Sequence, residues 1–379
     1  MALKNLLDPA VVAARLAVAL ERHLDGARDA RVDNVSVPSS TGMSNETVLF
    51  DAAWTDEGGS RRERLVARVQ PAGPAVFPRY DLGLEFAVMG ALASATDVPV
   101  PAMYFHESDD ALLGAPFLVM RRIDGTVPSD DPPHTVSGWV SELAPERQAT
   151  LYDNALGALA RIHAVDIDAV GLRGLRTHAE AELDGQLALW STTFDWAAQG
   201  QSNPTVEAAL DWVRAHRPVP TGASVLNWGD ARIGNLLFDD RLDVAGVLDW
   251  EMVCFGPREL DLGWWLLMQR YYTEGIGAPP LPGFPDRDQL LDRYRQLSDS
   301  AAAQQGREPV ELGDLHYYEV LAALRLSILM HRAGNLMIAA GQLPPGSSMG
   351  LSNPASHLLA RLLDLPAPVG EAQSFAGNR

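Results

Sequence analysis

The pattern of apolar residues changes character once, near residue 120, and that change limits what the chain can fold into. Before it come short runs rich in β-branched and aromatic residues: "ARVDNVSV", "TVLFDAAW", "RLVARVQ", "AMYFHES" and "PFLVMRRI". These read as five strands. The polar stretch "TDEGGSRRE" joins the second and third as a hairpin. One helical stretch, "PRYDLGLEFAVMGALAS", is inserted and stopped by the prolines of "TDVPVP". Asp8 followed by Pro9 reads as an N-cap and first helical position, with Leu16, Leu20 and Leu24 at helical spacing behind it. After residue 120 the period is helical. "PERQATLYDNALGALARIHAVD", a region over about 179–215, "ELDLGWWLLMQRYY", "RDQLLDRYRQLSDSAAA" and "LGDLHYYEVLAALRLSILMHRAGNLMIAA" all read as helices. "LPPGSSMGLSNPAS" reads as a loop and the last residues, from Leu365, as frayed. The expected class is α+β. A small antiparallel-sheet lobe over 1–122 precedes a larger, mostly helical lobe over 123–379, which one polar hairpin interrupts. At 379 residues the chain exceeds what one core usually serves. The crossover lies near "VMRRIDG", and ligands favour clefts between such lobes.

Bulk properties remove several functions. The formal net charge is −19, where a nucleic-acid partner would need a basic stripe. The acidic balance serves solubility and draws cations by long-range attraction. Cys254 is the sole cysteine, so it reads as a small buried hydrophobe rather than part of a disulfide or multi-cysteine zinc site. Arg15 interrupts the apolar N-terminal stretch, which makes a poor signal peptide. No apolar run approaches the ~20 residues of a membrane span. A cytoplasmic protein without a membrane partner is expected; oligomeric state is not legible.

The segment "VLNWGDARIGNLLFDDRLDVAGVLDWE" carries the chemistry. An Asp and an Asn five apart mean little alone: Asp29 and Asn34 share that spacing, on an expected helix-to-strand link, and receive no role. Around Asp230 and Asn235 the context differs. A glycine precedes, an irregular loop holds both, and "LLF" follows as a strand. "DDRL" turns the chain and "DVAGVLDW" returns Asp249 beside Asn235. An amide oxygen and a carboxylate are hard ligands of the kind Mg²⁺ takes alongside waters and phosphate oxygens. Asp230, a few residues before them, can accept a proton from an attacking hydroxyl. A surface hairpin with Asp and Asn as turn formers is the competing reading of the same residues.

"WGDARIGNLLFDD…GVLDWE" resembles the catalytic and metal segments of the aminoglycoside phosphotransferase family, within the protein-kinase-like superfold, and the chain resembles its actinobacterial-type small-molecule kinases. That resemblance implies Asp230 as catalytic residue and Asn235 and Asp249 as Mg²⁺ ligands. "PRELDLGWWL" resembles the following segment, which makes Asp261 a buried support of the catalytic loop; a helix N-terminal acid is the equal alternative. "PSSTGMSNETVLFDA" resembles the phosphate loop and implies Gly42, Ser44 and Asn45 around the ATP phosphates. "LVARVQP" points to Arg68 as the phosphate-binding cation and "LEFAVMGALA" to Glu85 as its acidic partner. "FLVMRRIDG" resembles the hinge, where backbone near Arg121 and Ile123 would meet adenine. "LARIHAVD" resembles the helix before the catalytic segment, with His163 read as structural. ATP and Mg²⁺ are the implied cofactors.

Two departures from the family pattern matter. Trp228 stands where the family usually has His, and indole has one donor and no acceptor, so it fills volume without copying imidazole bonding. Arg68 stands where Lys is commoner, and Lys4 is the only lysine in the chain. The expected function is transfer of the ATP γ-phosphate to a hydroxyl of a small molecule, of aminoglycoside-like or other cationic type. A nucleotide-binding pseudokinase and a scaffold are the alternatives. Nothing resembles a long activation segment between Asp249 and "PRELD", which disfavours protein substrates.

Overall fold

The computed structural model describes residues 8–38 and 45–373. The N-terminal part opens with helix α1 (Pro9–His23), capped by Asp8, whose carboxylate accepts from the Ala10 N–H. Strands β1 (Arg28–Ser36), β2 (Glu46–Asp56) and β3 (Gly59–Val69) follow. Helix α2 (Leu82–Ala95) and strands β4 (Met103–Glu107) and β5 (Phe117–Arg121) complete it. The five strands form one antiparallel sheet in the order β1-β2-β3-β5-β4. Burial alternates along β2 at Val48, Phe50, Ala52 and Trp54, the period-2 signature of a one-faced sheet. That face meets Leu16, Ala19 and Leu20 of α1 in one core with Leu65, Phe105 and Phe117.

The helical part contains α3 (Pro145–His163), α4 (Glu182–Ala198) and α5 (Pro204–Ala215). Short strands β6 (Val225–Asn227), β7 (Leu236–Phe238), β8 (Val244–Val247) and β9 (Cys254–Gly256) come next. Helices α6 (Glu259–Arg270), α7 (Arg287–Gln304), α8 (Leu315–Ala339) and α9 (Pro354–Leu362) close the chain. Helix α8 is apolar and buried nearly all round, so it is the axis of this core. Helix α6 packs on it through Gly263, where a Cβ would lie 2.5 Å from the Tyr318 carbonyl. The chain divides into two compact units: Met1–Thr96 with Val100–Asp124, and Asp97–Pro99 with Gly125–Arg379.

Four local expectations need correction. The β2–β3 turn is only Glu57-Gly58, because Asp56 pairs with Gly59 and the ladder runs through the polar residues. Asp29 and Asn34 both lie inside β1, at φ 55° and 54°, where its register against β2 slips. The helical region over 179–215 is two helices, broken where Gln199 turns left-handed (φ 50°) and Asn203 caps α5. The stretch read as a loop through Ser356 becomes helix at Pro354. Asn353 accepts there from the Ser356 N–H, and the Ser356 hydroxyl accepts from the Asn353 N–H. This reciprocal cap starts a helix that Pro and Ser composition disguises.

Candidate active site

Strand β6 pairs antiparallel with β9, and this brings the start of the catalytic segment next to the first turn of α6. The Asn227 amide clasps the pair by donating to the carbonyls of Val225 and Gly256. The backbone then bends at Gly229, φ 96°, where a Cβ would sit 2.1 Å from the Met252 carbonyl oxygen. Only glycine fits so close an approach at that torsion. The Trp228 and Gly229 N–H groups both donate to fully buried Asp261, at 2.7 and 2.8 Å. Asp261 thus occupies the α6 first turn and also holds the loop, so both sequence readings of it describe the same carboxylate.

Asp261 is itself supported. His163 lies 3.1 Å from it through Nε2 and 2.6 Å from the Tyr294 hydroxyl through Nδ1. A carboxylate only accepts, so Nε2 carries the proton and Tyr294 donates to Nδ1. Arg258 donates to the Tyr294 oxygen, closing the chain of bonds. Burial, opposed by Asp261, holds the His163 pKa below its ordinary value, which keeps the ring neutral. His163 therefore braces the loop from α3, consistent with a structural rather than a chemical role.

Asp230 follows with its carboxylate tied on both oxygens. Oδ2 accepts from the Asn235 amide at 2.7 Å and from Arg232 Nε at 3.1 Å. Oδ1 accepts from the Trp264 indole at 2.7 Å. Arg232 reaches on to both oxygens of Asp130 at 2.8 and 2.7 Å, and the Tyr272 hydroxyl donates to Asp130 at 2.5 Å. Burial alone would weaken the Arg232 guanidinium, but Asp130 and Asp230 hold its pKa well above the ordinary value. It stays a fixed cation beside the candidate base.

The β7–β8 hairpin carries the expected metal ligands. Its register sets Leu248, rather than Asp249, across from Asn235: Leu236 pairs with Val247, and the Leu248 N–H donates to the Asn235 carbonyl. A bulge between Leu237 and Phe238 moves the residue opposite Asn235 from Val247 to Leu248, one short of Asp249. Asp249 comes one residue later in a left-handed conformation, φ 63°. Fully buried Trp228 donates its indole N–H to the carbonyls of Leu248 (2.8 Å) and Asp249 (3.2 Å). The residue in the family's His place thus uses its one donor to hold the metal segment. The Asn235 amide nitrogen is committed to Asp230, so its carbonyl oxygen is left as a hard ligand. Among the described residues no group of three or more His, Cys, Asp or Glu could hold a metal alone. One carboxylate and one amide oxygen, completed by phosphates and water, still suit Mg²⁺.

In the N-terminal unit, Arg68 is the next-to-last residue of β3, paired with Thr47 on one side and Leu118 on the other, and Glu85 is buried in the first turn of α2. Asn45 is buried just before β2. Gly42 and Ser44 lie outside the described residues. Arg121 ends β5; its N–H donates to the Ala102 carbonyl and its guanidinium to Glu63 and Tyr104. That amide is committed to protein, so the hinge expectation rests on the Arg121 carbonyl and on Ile123 just beyond the strand.

A small cavity of about 30 Å³ in the helical unit abuts Arg232. Tyr152, Trp265, Tyr272, Phe284 and His134 supply aromatic walls. Burial pushes the His134 pKa down to about 4, so that ring is neutral too. The sequence reading missed Arg232, Trp264, Asp130 and Tyr272. Only Trp264 left a usable trace: three residues after Asp261, it shares that residue's helix face.

Residues 37–298 match the model of the APH phosphotransferase enzyme family. The chain belongs to that family. It is similar to IBR3 of Arabidopsis thaliana, an acyl-CoA dehydrogenase by name, at 31% identity over 68% of this chain and 32% of that protein. It is also similar to acyl-CoA dehydrogenase family member 10 of Mus musculus, at 30% identity over 59% of this chain and 20% of that one. The matched stretch is thus a third or less of these relatives, and they carry no assignment of the chain to actinobacteria. Among solved structures, one from Ralstonia eutropha JMP134, assigned to the aminoglycoside phosphotransferases, aligns at TM-score 0.62 with 23% identity. It covers 92% of this chain and 95% of that one. A thermostable mutant of aminoglycoside phosphotransferase APH(4)-Ia, in complex with ADP and hygromycin B, aligns at 0.50 with 13% identity, covering 93% and 97%. The fold is kinase-like, a five-stranded antiparallel N-terminal sheet followed by a largely helical region.

Proposed function

We propose that this phosphotransferase-family protein moves the γ-phosphoryl group of ATP to a hydroxyl of a small molecule. The observation that carries the reading is the tethered Asp230 carboxylate, on a loop whose two preceding amides are fixed by buried Asp261. Phosphoryl transfer demands little covalent chemistry of a protein and much positioning, and this loop is built for positioning. Asp230 orients the acceptor hydroxyl and takes its proton as the new O–P bond forms and the bond to the β-phosphate oxygen breaks, releasing ADP. Asn235 and Asp249 would hold Mg²⁺, which neutralises phosphate charge when bound. Arg68, with Glu85 as acidic partner, is proposed for the nucleotide phosphates, with Gly42, Ser44 and Asn45 as the phosphate loop and Arg121 and Ile123 as the adenine hinge. The ADP in the APH(4)-Ia complex supports a nucleotide.

The acceptor we propose is a hydroxylated compound of cationic character. Net charge −19 favours it at long range. We also propose a cytoplasmic setting; among the described residues no helix is long and apolar enough to cross a membrane.

Calorimetry with Mg-ATP, beside a turnover screen of hydroxyl compounds, tests the reading. Asp249→Asn should weaken Mg-dependent nucleotide binding and abolish turnover. Asp230→Asn should bind Mg-ATP almost as the wild type does and lose turnover ~10²-fold or more. Nucleotide binding without wild-type turnover would make the protein a pseudokinase. No binding at millimolar Mg-ATP would leave the scaffold reading. A screen yielding only anionic or neutral acceptors would remove the cationic proposal.

A further inference from the structure

We propose that Trp264 is a positioning residue for the acceptor step: its indole N–H fixes the Asp230 carboxylate so that one lone pair of Oδ1 is left to receive the acceptor's proton. The proposal rests on the role given above to Asp230. Each carboxylate oxygen offers about two lone-pair directions. Oδ2 spends both, on Asn235 and Arg232. Oδ1 spends one, on Trp264 at 2.7 Å. The remaining direction is therefore on Oδ1, beside the indole.

The donor is suited to the task. An indole N–H cannot accept a hydrogen bond, so Trp264 keeps one polarity and cannot compete for the proton. Its ring cannot swing away. Trp264 is buried, and the Arg325 guanidinium stacks 4.7 Å from its ring centroid. Arg325 lies 5.1 Å from the Trp190 ring as well and donates to the Gly229 carbonyl at 3.4 Å. The two peptide groups flanking the Gly229 Cα are thus held, the preceding one at its N–H by Asp261 and the following one at its carbonyl by Arg325. Gly263, next to Trp264, is what lets α6 come this close to α8, the helix that supplies Arg325. If Trp264 were only core filler, its ring would matter and its N–H would not.

Two measurements separate those roles. The chain has nine tryptophans, and the Trp264 indole signal in a ¹H–¹⁵N spectrum is assigned by its loss in Trp264→Phe, or in Trp264→Tyr if that variant does not fold. In Asp230→Ala, or Asp230→Leu if Ala does not fold, this signal should move upfield more than any other indole signal. An unmoved signal overturns the proposal, and this readout needs no turnover. Kinetically, Trp264→Phe should lower kcat about 10-fold or more while leaving the KM for ATP near the wild-type value. Trp139→Phe removes an indole N–H that bonds the Val127 carbonyl instead, and should keep kcat. Wild-type kcat in Trp264→Phe overturns the positioning role. Absence of any wild-type turnover overturns the phosphotransferase reading instead, with the spectra still deciding the hydrogen bond.

Discussion

Asp230 and Asp261 carry the same side chain in different surroundings. Asp261 is sealed and spends its lone pairs on backbone amides and His163; Asp230 keeps one direction open. Asp230, Asn235 and Asp249 were singled out in the sequence by their loop, strand and turn context, and the hairpin register then sets Asp249 one residue beyond the partner of Asn235. Arg232 and Arg325 were not singled out, because their contacts join segments far apart in the chain, Arg232 to Asp130 and Arg325 to Trp264 across α6 and α8, and no local pattern records such a meeting. The close fit at Gly229 gives a residue-scale prediction. Gly229→Ala places a Cβ against the Met252 carbonyl at a left-handed φ, so it should cost on the order of 3 kcal/mol or more. Denaturant unfolding measures this, and a cost near zero would mean the loop does not pass so close to Met252. Asp261→Asn replaces one of the two acceptor oxygens by an NH2 donor, so that either the Trp228 or the Gly229 N–H faces a donor. It should cost roughly 2–4 kcal/mol in the same assay and lower kcat with it.

Elements were legible where one periodicity ran unbroken. Burial alternates cleanly along β2 and follows helical spacing in α1, α3 and α7, whereas β5, buried at four consecutive residues, was read from its β-branched and aromatic composition. The misses share a cause: polar or small residues whose structure is set by a partner elsewhere. The β2–β3 ladder carries polar residues because it extends beyond the core, and α9 begins at a cap that looks like a loop. That cap is testable. Asn353 is fully buried and donates to the Met349 carbonyl while capping α9, so Asn353→Ala should destabilise by about 2 kcal/mol, the upper end for a cap. A loss below a few tenths would show that α9 stands without it. The junction of α1 with β4 makes a pH prediction. His23, then the Asp109 N–H and Arg22, hold the Glu107 pKa down to about 2 from an ordinary 4.5. A depressed carboxylate stabilises the fold above its unfolded pKa and loses that contribution as pH falls through the folded one. Acid titration of the melting temperature should therefore drop between pH 4.5 and 2, and Glu107→Gln should flatten that drop. An identical acid limb in the variant would exclude Glu107 as its source.

At the scale of the whole chain, basic chemistry is almost entirely guanidinium: of 30 basic residues, only Lys4 is a lysine. Arginine keeps the charge and binds phosphate through a planar fork, but it is not an acylatable amine. This separates two properties that usually travel together in kinase-like proteins, phosphate binding by a cation and covalent capture of that cation by acyl-phosphate nucleotide probes. If Arg68 is the phosphate-binding cation, Mg-ATP should bind and raise the melting temperature by mass action. An acyl-phosphate ATP probe should nevertheless leave residues 45–373 unmodified. Arg68→Lys should then acquire a single acylation at position 68, suppressed by excess Mg-ATP. Mass spectrometry of the labelled digest reads both outcomes. An Arg68→Lys protein that binds Mg-ATP yet is never acylated would move the phosphate-binding role away from β3, while labelling that excess Mg-ATP fails to suppress would mark position 68 as merely exposed.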